Sequence, residues 1–389
     1  MYKRKIDVFI KSHFQKMNLM LLLYGARQVG KTTLLQRIFP NAVFLLVDNE
    51  SIRQKLEEYD IYQYQEWLPK NTKQILIDEI HLLSNPGRAA KIIFDHMTKT
   101  QIIITGSSSL HIKNQASESM AGRFVSYQLF PLTFEEYVEQ KDYRKSHKTD
   151  IIDRILLQKK EPLNKPLLFL KNDVLSNVLL FGGYPQLIKT PANIKYLKEY
   201  VETMLFKDII ELNLIDNRVA AKLLLKLLAH QIGNLIDYTE LSRRVGVDQR
   251  TVRRYIEIFE ESYILYRLYP FSKRERNVIT RTPKIYFYDL GVRNAIIDNF
   301  SPVQQRGDMG AMFENFIISE FIKANAYKQD RYHFYYWRPK IGAEVDLVLT
   351  KDDKITGIEI KYQKLGESRA FRNRYKEAAF FQVTKDNFY

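Results

Sequence analysis

Cysteine is absent from all 389 residues. Disulfide frameworks, thiolate metal sites and cysteine nucleophiles are therefore excluded together, and a reducing cytoplasm is the expected compartment. No run approaches the roughly 20 apolar residues needed to cross a bilayer, so no membrane partner is expected. The opening Met1-Tyr-Lys-Arg-Lys5, with apolar Met17 to Tyr24 behind it, has the outline of a secretory leader. That apolar run is short, lacks a small-residue cleavage site and feeds a glycine loop, so it is expected to belong to the fold. Internal repeats and low-complexity linkers are lacking too, and only Lys141 to Lys148 and Gln158 to Pro166 read as connectors. Acid is scarce relative to base: 45 Asp+Glu against 60 Lys+Arg leave +15. A surplus of that sign favours polyanions, nucleic acid before acidic membrane surfaces. With 45% hydrophobic and 27% charged residues the rest is ordinary for a folded protein, and at about 150 residues per domain the length allows two to three domains.

Leu19 to Tyr24 reads as a buried strand, Gly25-Ala26-Arg27-Gln28-Val29-Gly30-Lys31-Thr32-Thr33 follows, and a helical pattern runs from Leu34 to Phe39. Such a loop wraps backbone N–H groups around phosphate oxygens, and Gly25 and Gly30 permit the positive φ and close approach this needs. Lys31 would reach the β- and γ-phosphates and the Thr32 hydroxyl would hold Mg²⁺. Gln74-Ile-Leu-Ile-Asp78-Glu79 is an apolar strand ending in two acids, Asp78 for the metal and Glu79 to polarise the attacking water. A third strand, Gln101-Ile-Ile-Ile-Thr105, ends in Gly106 and Ser107 to Ser109, where a polar side chain can touch a γ-phosphate or cap a helix.

These residues resemble the prokaryotic AAA-superfamily ATPases in which Gly-Ala-Arg-Gln-Val-Gly-Lys-Thr, Ile-Asp-Glu and Thr-Gly-Ser recur in that order and a winged helix and nuclease-like domain follow. The resemblance covers residues 15 to 140 best. It implies a core of five parallel strands, nucleotide at a subunit edge, and Ser107, with Ser108 as runner-up, in the sensor position. Ala121-Gly122-Arg123-Phe124 is similar too, which makes Arg123 a candidate transition-state charge, in cis or from a neighbouring subunit, or else a solvated loop arginine. Gly182-Gly183-Tyr184-Pro185 resembles the lid motif of signalling NTPases, in which the proline, here Pro185, packs on adenine; a plain turn between helices is the alternative.

Apolar residues recur at helical spacing from Lys195 to Ile232. Tyr238 to Phe259 then shows a short helix, a glycine turn at Gly246, an Asp248 cap and a longer amphipathic helix, which is the order of a helix-turn-helix. Gln249, Arg250, Arg253 and Arg254 fall at or near the start of the second helix, where side chains enter a major groove and neutralise phosphates. Tyr263 to Tyr269 reads as a wing strand. Farther on, Glu314 stands near the beginning of a helix, and Asp346 and Glu359-Ile-Lys361 alternate with apolar neighbours in strand register. An acid on one strand and Glu-x-Lys on its hairpin partner can converge to hold Mg²⁺ or Mn²⁺ while Lys361 orients or deprotonates water. This pattern resembles the PD-(D/E)xK nuclease fold, which implies Glu314 as the helix acid, Asp346 and Glu359 as metal ligands and Lys361 as the catalytic lysine. Lys364, Arg369, Arg372, Arg374 and Lys376 form a basic tail beyond it.

The expected fold class is an α/β multidomain protein. Residues 1–150 form a P-loop parallel-sheet AAA core, 151–220 a helical lid and connector, 221–275 a winged helix and 276–389 an α/β restriction-endonuclease-like domain. ATP and Mg²⁺ are the expected cofactors and DNA the expected partner, with homo-oligomerisation open. An ATP-gated regulatory switch without cleavage, or a DNA-binding protein with an inactive nuclease fold, are the alternatives.

Overall fold

Apolar runs bounded by polar strand ends build the first unit. In the computed structural model, strands β1 (Met20–Tyr24), β2 (Val43–Leu46), β3 (Gln74–Asp78), β4 (Gln101–Gly106) and β5 (Phe124–Gln128) form one sheet in the order β2-β3-β4-β1-β5. Every pairing in it is parallel. Leu21, Leu23, Ile75, Ile77, Ile103 and Ile104 are fully buried because helices cover both faces, which is why these strands read as unbroken apolar runs. Helix α1 (Asp7–Lys16) precedes the sheet, and α2 (Lys31–Ile38) follows β1 directly. Helices α3 (Glu50–Glu57), α4 (Ile61–Trp67) and α5 (Pro86–His96) begin where Asn49, Asp60 and Asn85 accept backbone N–H bonds. The structure describes residues 2–106, 122–141, 150–157, 165–190, 193–205, 215–272, 282–329, 331–339, 344–363 and 369–389. Ser107, Ser108 and Lys364, and most of the two expected connectors, lie outside the described residues.

The first unit comprises residues 3–130 with 261–263, and the second the remainder from 131 onward. The second unit opens with α6 (Phe134–Lys141), α7 (Ile151–Leu157), α8 (Lys165–Phe181), α9 (Pro185–Lys189) and α10 (Ile194–Glu199). Next come α11 (Arg218–His230), α12 (Tyr238–Val245) and α13 (Gln249–Glu261). Asp237 caps α12, Gly246 leaves it at φ 77°, and Asp248 accepts from Thr251 N at 2.9 Å, so the expected short helix, glycine turn and Asp-capped longer helix are present. Strand β6 (Leu265–Leu268) pairs antiparallel with β7 (Lys284–Phe287). The expected boundary at residue 275 is therefore corrected, because it would cut this hairpin and leave β6 without its partner.

After β7 come α14 (Leu290–Ile296), α15 (Met309–Tyr327), β8 (His333–Trp337), β9 (Val345–Lys351), β10 (Lys354–Ile360), α16 (Arg369–Arg374) and β11 (Ala379–Val383). The four strands form a sheet in the order β11-β10-β9-β8. β9 is antiparallel to both β8 and β10, whereas β10 and β11 run parallel. Asp352 and Asp353, both at positive φ, make the tight β9–β10 turn. No described helix is long and apolar enough to cross a membrane.

Candidate functional site

The loop between β1 and α2 sits at the carboxyl edge of the parallel sheet, where open α/β sheets place their ligands. Gly25 has φ 145°, and a Cβ there would lie 2.1 Å from the Leu129 carbonyl oxygen, so only glycine lets the loop leave β1 against the end of β5. Gln28 and Gly30 also have positive φ, at 60° and 94°. Together they curl the backbone of Ala26 to Gly30 ahead of the N-terminus of α2, a concavity whose N–H groups suit an anion. Val29 is buried, and Arg4 clamps the loop from outside: its guanidinium donates to the Val29 carbonyl at 3.1 Å and to the Phe130 carbonyl at 2.6 Å. Lys31 is buried and donates through Nζ to the carbonyls of Gly25 and Ala26, both at 3.0 Å, so its ammonium lies across the mouth of the loop. Arg27 and Thr33 are partly exposed and exposed, respectively.

The acids at the end of β3 meet this loop. The Thr32 hydroxyl donates to Asp78, with Oδ1 and Oδ2 both at 2.9 Å. Thr105, fully buried on β4, donates to Asp78 Oδ1 at 2.6 Å and accepts from Glu79 N at 3.0 Å. Thr105 thus ties the two neighbouring acids together, while Glu79 itself occupies a left-handed conformation at φ 56°. Its carboxylate lies 3.2 Å from His81 Nδ1. Burial pushes the Asp78 carboxyl above its ordinary range and Glu79 adds to this, while hydrogen bonds from Thr105 and Thr32 oppose it. A hydroxyl beside a carboxylate is an oxygen donor pair that suits Mg²⁺, which otherwise takes water and phosphate oxygens.

Arg123 lies elsewhere. It immediately precedes β5, whose first residue Phe124 is level with Met20, and it pairs with Asp95 at 3.0 Å. It therefore stands at the amino edge of the sheet, the length of a five-residue strand or roughly 16 Å from the loop. The expected action of Arg123 in cis is corrected accordingly. Pro185 opens α9 in the second unit. The glycines before it serve Asp289: Gly183 N donates to Asp289 Oδ2 at 2.7 Å, and a Cβ on Gly182 would meet Oδ1 at 2.0 Å. This segment is a joint between α8, α9 and the start of α14.

On α13, Gln249 donates to the Thr239 hydroxyl at 3.1 Å, the Arg253 guanidinium lies 3.7 Å from the Tyr238 ring centroid, and Arg254 pairs with Asp216. All three are exposed, as is Arg250, whose guanidinium has no partner among the described residues.

In the C-terminal sheet, Asp346 on β9 accepts from Ile360 N at 2.7 Å and from Lys361 Nζ at 3.2 Å. The β9–β10 ladder runs to Ile358↔Leu347, one step short of Asp346 and Glu359, so both acids come at the same end of the hairpin. Glu314 on α15 accepts from the Tyr286 hydroxyl at 2.6 Å, and Lys284 Nζ lies 3.3 Å away and also pairs with Glu344. Burial first, and then repulsion from Asp346, push the Glu314 carboxyl up to about 7, against the pull of Lys284 and Tyr286. Lys361 is held above its ordinary value, since the carboxylates of Asp346, Glu314 and Glu359 outweigh burial. The cluster thus sets Glu314, Glu344, Asp346 and Glu359 against two ammonium groups. Among the described residues no three His, Cys, Asp or Glu side chains stand close enough together to hold a divalent cation.

Arg4, Thr105, Lys284 and Tyr286 are absent from the sequence-based assignment. Thr105 closes an isoleucine run, and Lys284-Ile285-Tyr286 alternates polar and apolar on a strand, the signals that could have marked them.

Three family matches cover most of the chain. Residues 17–138 match a family described as AAA domain, 172–303 a Domain of unknown function (DUF8612), and 309–385 a Domain of unknown function (DUF4143). The chain is 25% identical over 386 residues to uncharacterized protein MJ1544 of Methanocaldococcus jannaschii, covering 95% of this chain and 80% of that one. It is 26% identical over 351 residues to uncharacterized protein Rv2008c of Mycobacterium tuberculosis, covering 88% and 70%. Among solved structures, the Walker-type ATPase PABY2304 of Pyrococcus abyssi aligns at 14% identity and TM-score 0.47, covering 76% of this chain and 96% of that one. The ORC2 protein of Aeropyrum pernix in its ADP form aligns at 12% identity and TM-score 0.34, covering 75% and 92%. The AAA match, the glycine loop and the five-stranded parallel sheet coincide on the same residues, and the chain therefore carries an AAA-type P-loop ATPase domain.

Proposed function

We propose that this protein hydrolyses ATP at the loop of residues 25–33 and acts on DNA through its second unit. The observation that carries the reading is the chain of contacts Thr32–Asp78–Thr105–Glu79, which joins the loop's hydroxyl to two strand-end acids. In this reading the loop N–H groups and Lys31 bind the β- and γ-phosphates, and Lys31 exchanges the Gly25 and Ala26 carbonyls for phosphate oxygens. Thr32 and Asp78 would hold Mg²⁺, which supplies charge neutralisation to the phosphates. Glu79 takes the proton of the attacking water. The exposed Arg250 and the Arg253–Tyr238 stack at the start of α13, followed by an antiparallel hairpin, support a winged helix on DNA. The order helix, three strands, helix, strand from 309 to 383, with acids on α15, β9 and β10, supports a PD-(D/E)xK-type domain.

One reaction tests both parts: phosphate release and plasmid nicking are followed together with Mg·ATP. Lys31→Ala is expected to lower phosphate release by about 100-fold or more, and Asp346→Ala to leave it unchanged while removing nicking. Undiminished turnover in Lys31→Ala refutes the hydrolytic site. Intact plasmid with wild-type protein, with Mg²⁺ or Mn²⁺, removes cleavage and leaves the second reading, an ATP-gated switch on DNA. That second reading draws its support from the ammonium groups already seated on Asp346, Glu314 and Glu344.

A further inference from the structure

The anion loop is held by a residue that stands before the first helix. Arg4 is 4% exposed. Its Nη1 donates to the Val29 carbonyl at 3.1 Å and its Nη2 to the Phe130 carbonyl at 2.6 Å, so one side chain spans the loop and the chain just past β5. Val29 lies between Gln28 and Gly30, the two left-handed residues of the loop. A backbone that curls its N–H groups inward around an anion turns carbonyls outward, and an outward carbonyl on a buried residue needs a donor. Val29 is fully buried, out of reach of water, and the Arg4 guanidinium is that donor.

The support behind Arg4 is fixed. Ile6 and Ile10 are buried, and Asp7 N donates to the Arg4 carbonyl at 3.1 Å. Farther along α1, His13 Nε2 donates to the Leu19 carbonyl at 2.9 Å, and its Nδ1 lies 3.0 Å from the Tyr127 hydroxyl on β5. The same helix holds α2, because the Asp7 carboxylate accepts from Arg37 Nη2 at 2.7 and 2.6 Å. The amino-terminal segment thus meets α2 at its last turn and the loop at its bend through two separate contacts, of which Arg4 makes the one to the loop.

We infer that Arg4 is a positioning residue for nucleotide: it keeps the Val29 carbonyl turned out of the loop, so that the N–H groups face the phosphates before any nucleotide arrives. The inference rests on the reading of residues 25–33 as a nucleotide site. It adds that affinity for the phosphates is set in part by the segment ahead of β1. Without the guanidinium the loop spends more of its time in other conformations, and apparent affinity falls with the fraction that stays competent.

The test is equilibrium binding of fluorescent, ribose-labelled Mg·ADP to the full chain, with Mg·pyrophosphate as competitor, beside phosphate release from Mg·ATP. Arg4→Met keeps much of the aliphatic stem. It is expected to weaken both ligands by at least about tenfold and by a similar factor. KM for ATP should rise with it while kcat falls by less, because bound phosphates themselves restore the loop. Arg4→Lys, which keeps a cationic donor, should fall between Arg4→Met and wild type. Asp7→Asn loosens α1 from α2 without touching Val29, so it should lower the melting midpoint and leave both affinities near wild type. Wild-type affinity in Arg4→Met, or equal weakening in Asp7→Asn, overturns the assignment to Arg4. Loss of ADP affinity without loss of pyrophosphate affinity overturns it too. Should circular dichroism show that Arg4→Met does not fold, Arg4→Gln carries the same comparison. If the wild-type chain binds neither ligand, the nucleotide-site reading fails and takes the inference with it.

Discussion

Replacing Thr105 by valine isolates the contact that joins Asp78 to Glu79. Valine has nearly the shape of threonine, so packing on β4 is kept and only the hydroxyl is lost. Thr105 is fully buried, so water cannot take its place. Asp78 loses a 2.6 Å hydrogen bond and the Glu79 N–H loses its acceptor at 3.0 Å. A hydrogen bond to a charged group contributes roughly 1.5–3 kcal/mol, and an unsatisfied buried N–H costs about 1–3 kcal/mol. The first unit should therefore lose about 3 kcal/mol or more, a fall of roughly 10 °C in its melting midpoint. Catalysis should suffer separately. Glu79 takes its left-handed conformation where its N–H meets Thr105, and a displacement of about 1 Å in a positioned group costs roughly 100-fold in turnover. The loop N–H groups and Lys31 are untouched, so nucleotide affinity should change by no more than a few-fold. Phosphate release at saturating Mg·ATP, beside equilibrium binding of a fluorescent nucleotide, separates the two quantities. Because the Thr105 bond opposes the upward shift of Asp78, its loss should also move the acid limb of the rate profile to higher pH. Thr105→Ser, which keeps the hydroxyl, should stay near wild type. Wild-type turnover in Thr105→Val, or equal damage in Thr105→Ser, refutes the reasoning.

Asp308 gives a pH-dependent test of stability in the second unit. Burial alone would raise its carboxyl, but hydrogen bonds from Arg306 and Arg293 outweigh this and hold it at about 2. Its contribution is present above the unfolded value near 3.8 and is lost as pH falls through about 2. Asp308→Asn leaves both buried guanidinium groups without a counter-charge, so denaturant unfolding at pH 7 should show a loss of about 3 kcal/mol. That gap from wild type should close between about pH 4 and pH 2; a gap constant over that window refutes the role. On α13, Arg250→Ala should weaken duplex DNA binding and reduce the slope of log affinity against log salt by about one, with the melting midpoint unchanged. An unchanged slope would show that Arg250 meets no phosphate.

The nucleotide loop was legible because its chemistry is contiguous: Gly25 to Thr33 is one stretch, and the strands on either side are apolar runs. What completes it was not. Arg4 reaches carbonyls of Val29 and Phe130, and backbone acceptors leave no signature in residue identity. The role of Arg123 stayed open because sequence order does not say at which end of a strand a residue stands; the pairing of Phe124 with Met20 puts it at the edge opposite the loop. In the C-terminal region the alternation around Asp346 and Glu359 gave the right face of the sheet. Lys284 and Tyr286 escaped because they belong to no motif, and only the fold brings β7 against Glu314 of α15. The boundary drawn at 275 fails for a different reason, since composition along the chain does not report which strand pairs with β6.

The shared hairpin has a consequence for how this protein can change through inheritance. Lys284 and Tyr286 lie within the segment that matches one family, 172–303, while Glu314, Glu344 and Asp346 lie within the segment that matches another, 309–385. A recombination joint between the two, however well it spares every helix and strand, would bring an acid cluster from one parent to a lysine position from the other. Descendants keep their charge balance only when both segments travel together or when loss of the lysine is matched by loss of an acid. Two regions that look like interchangeable parts are in this respect a single heritable unit.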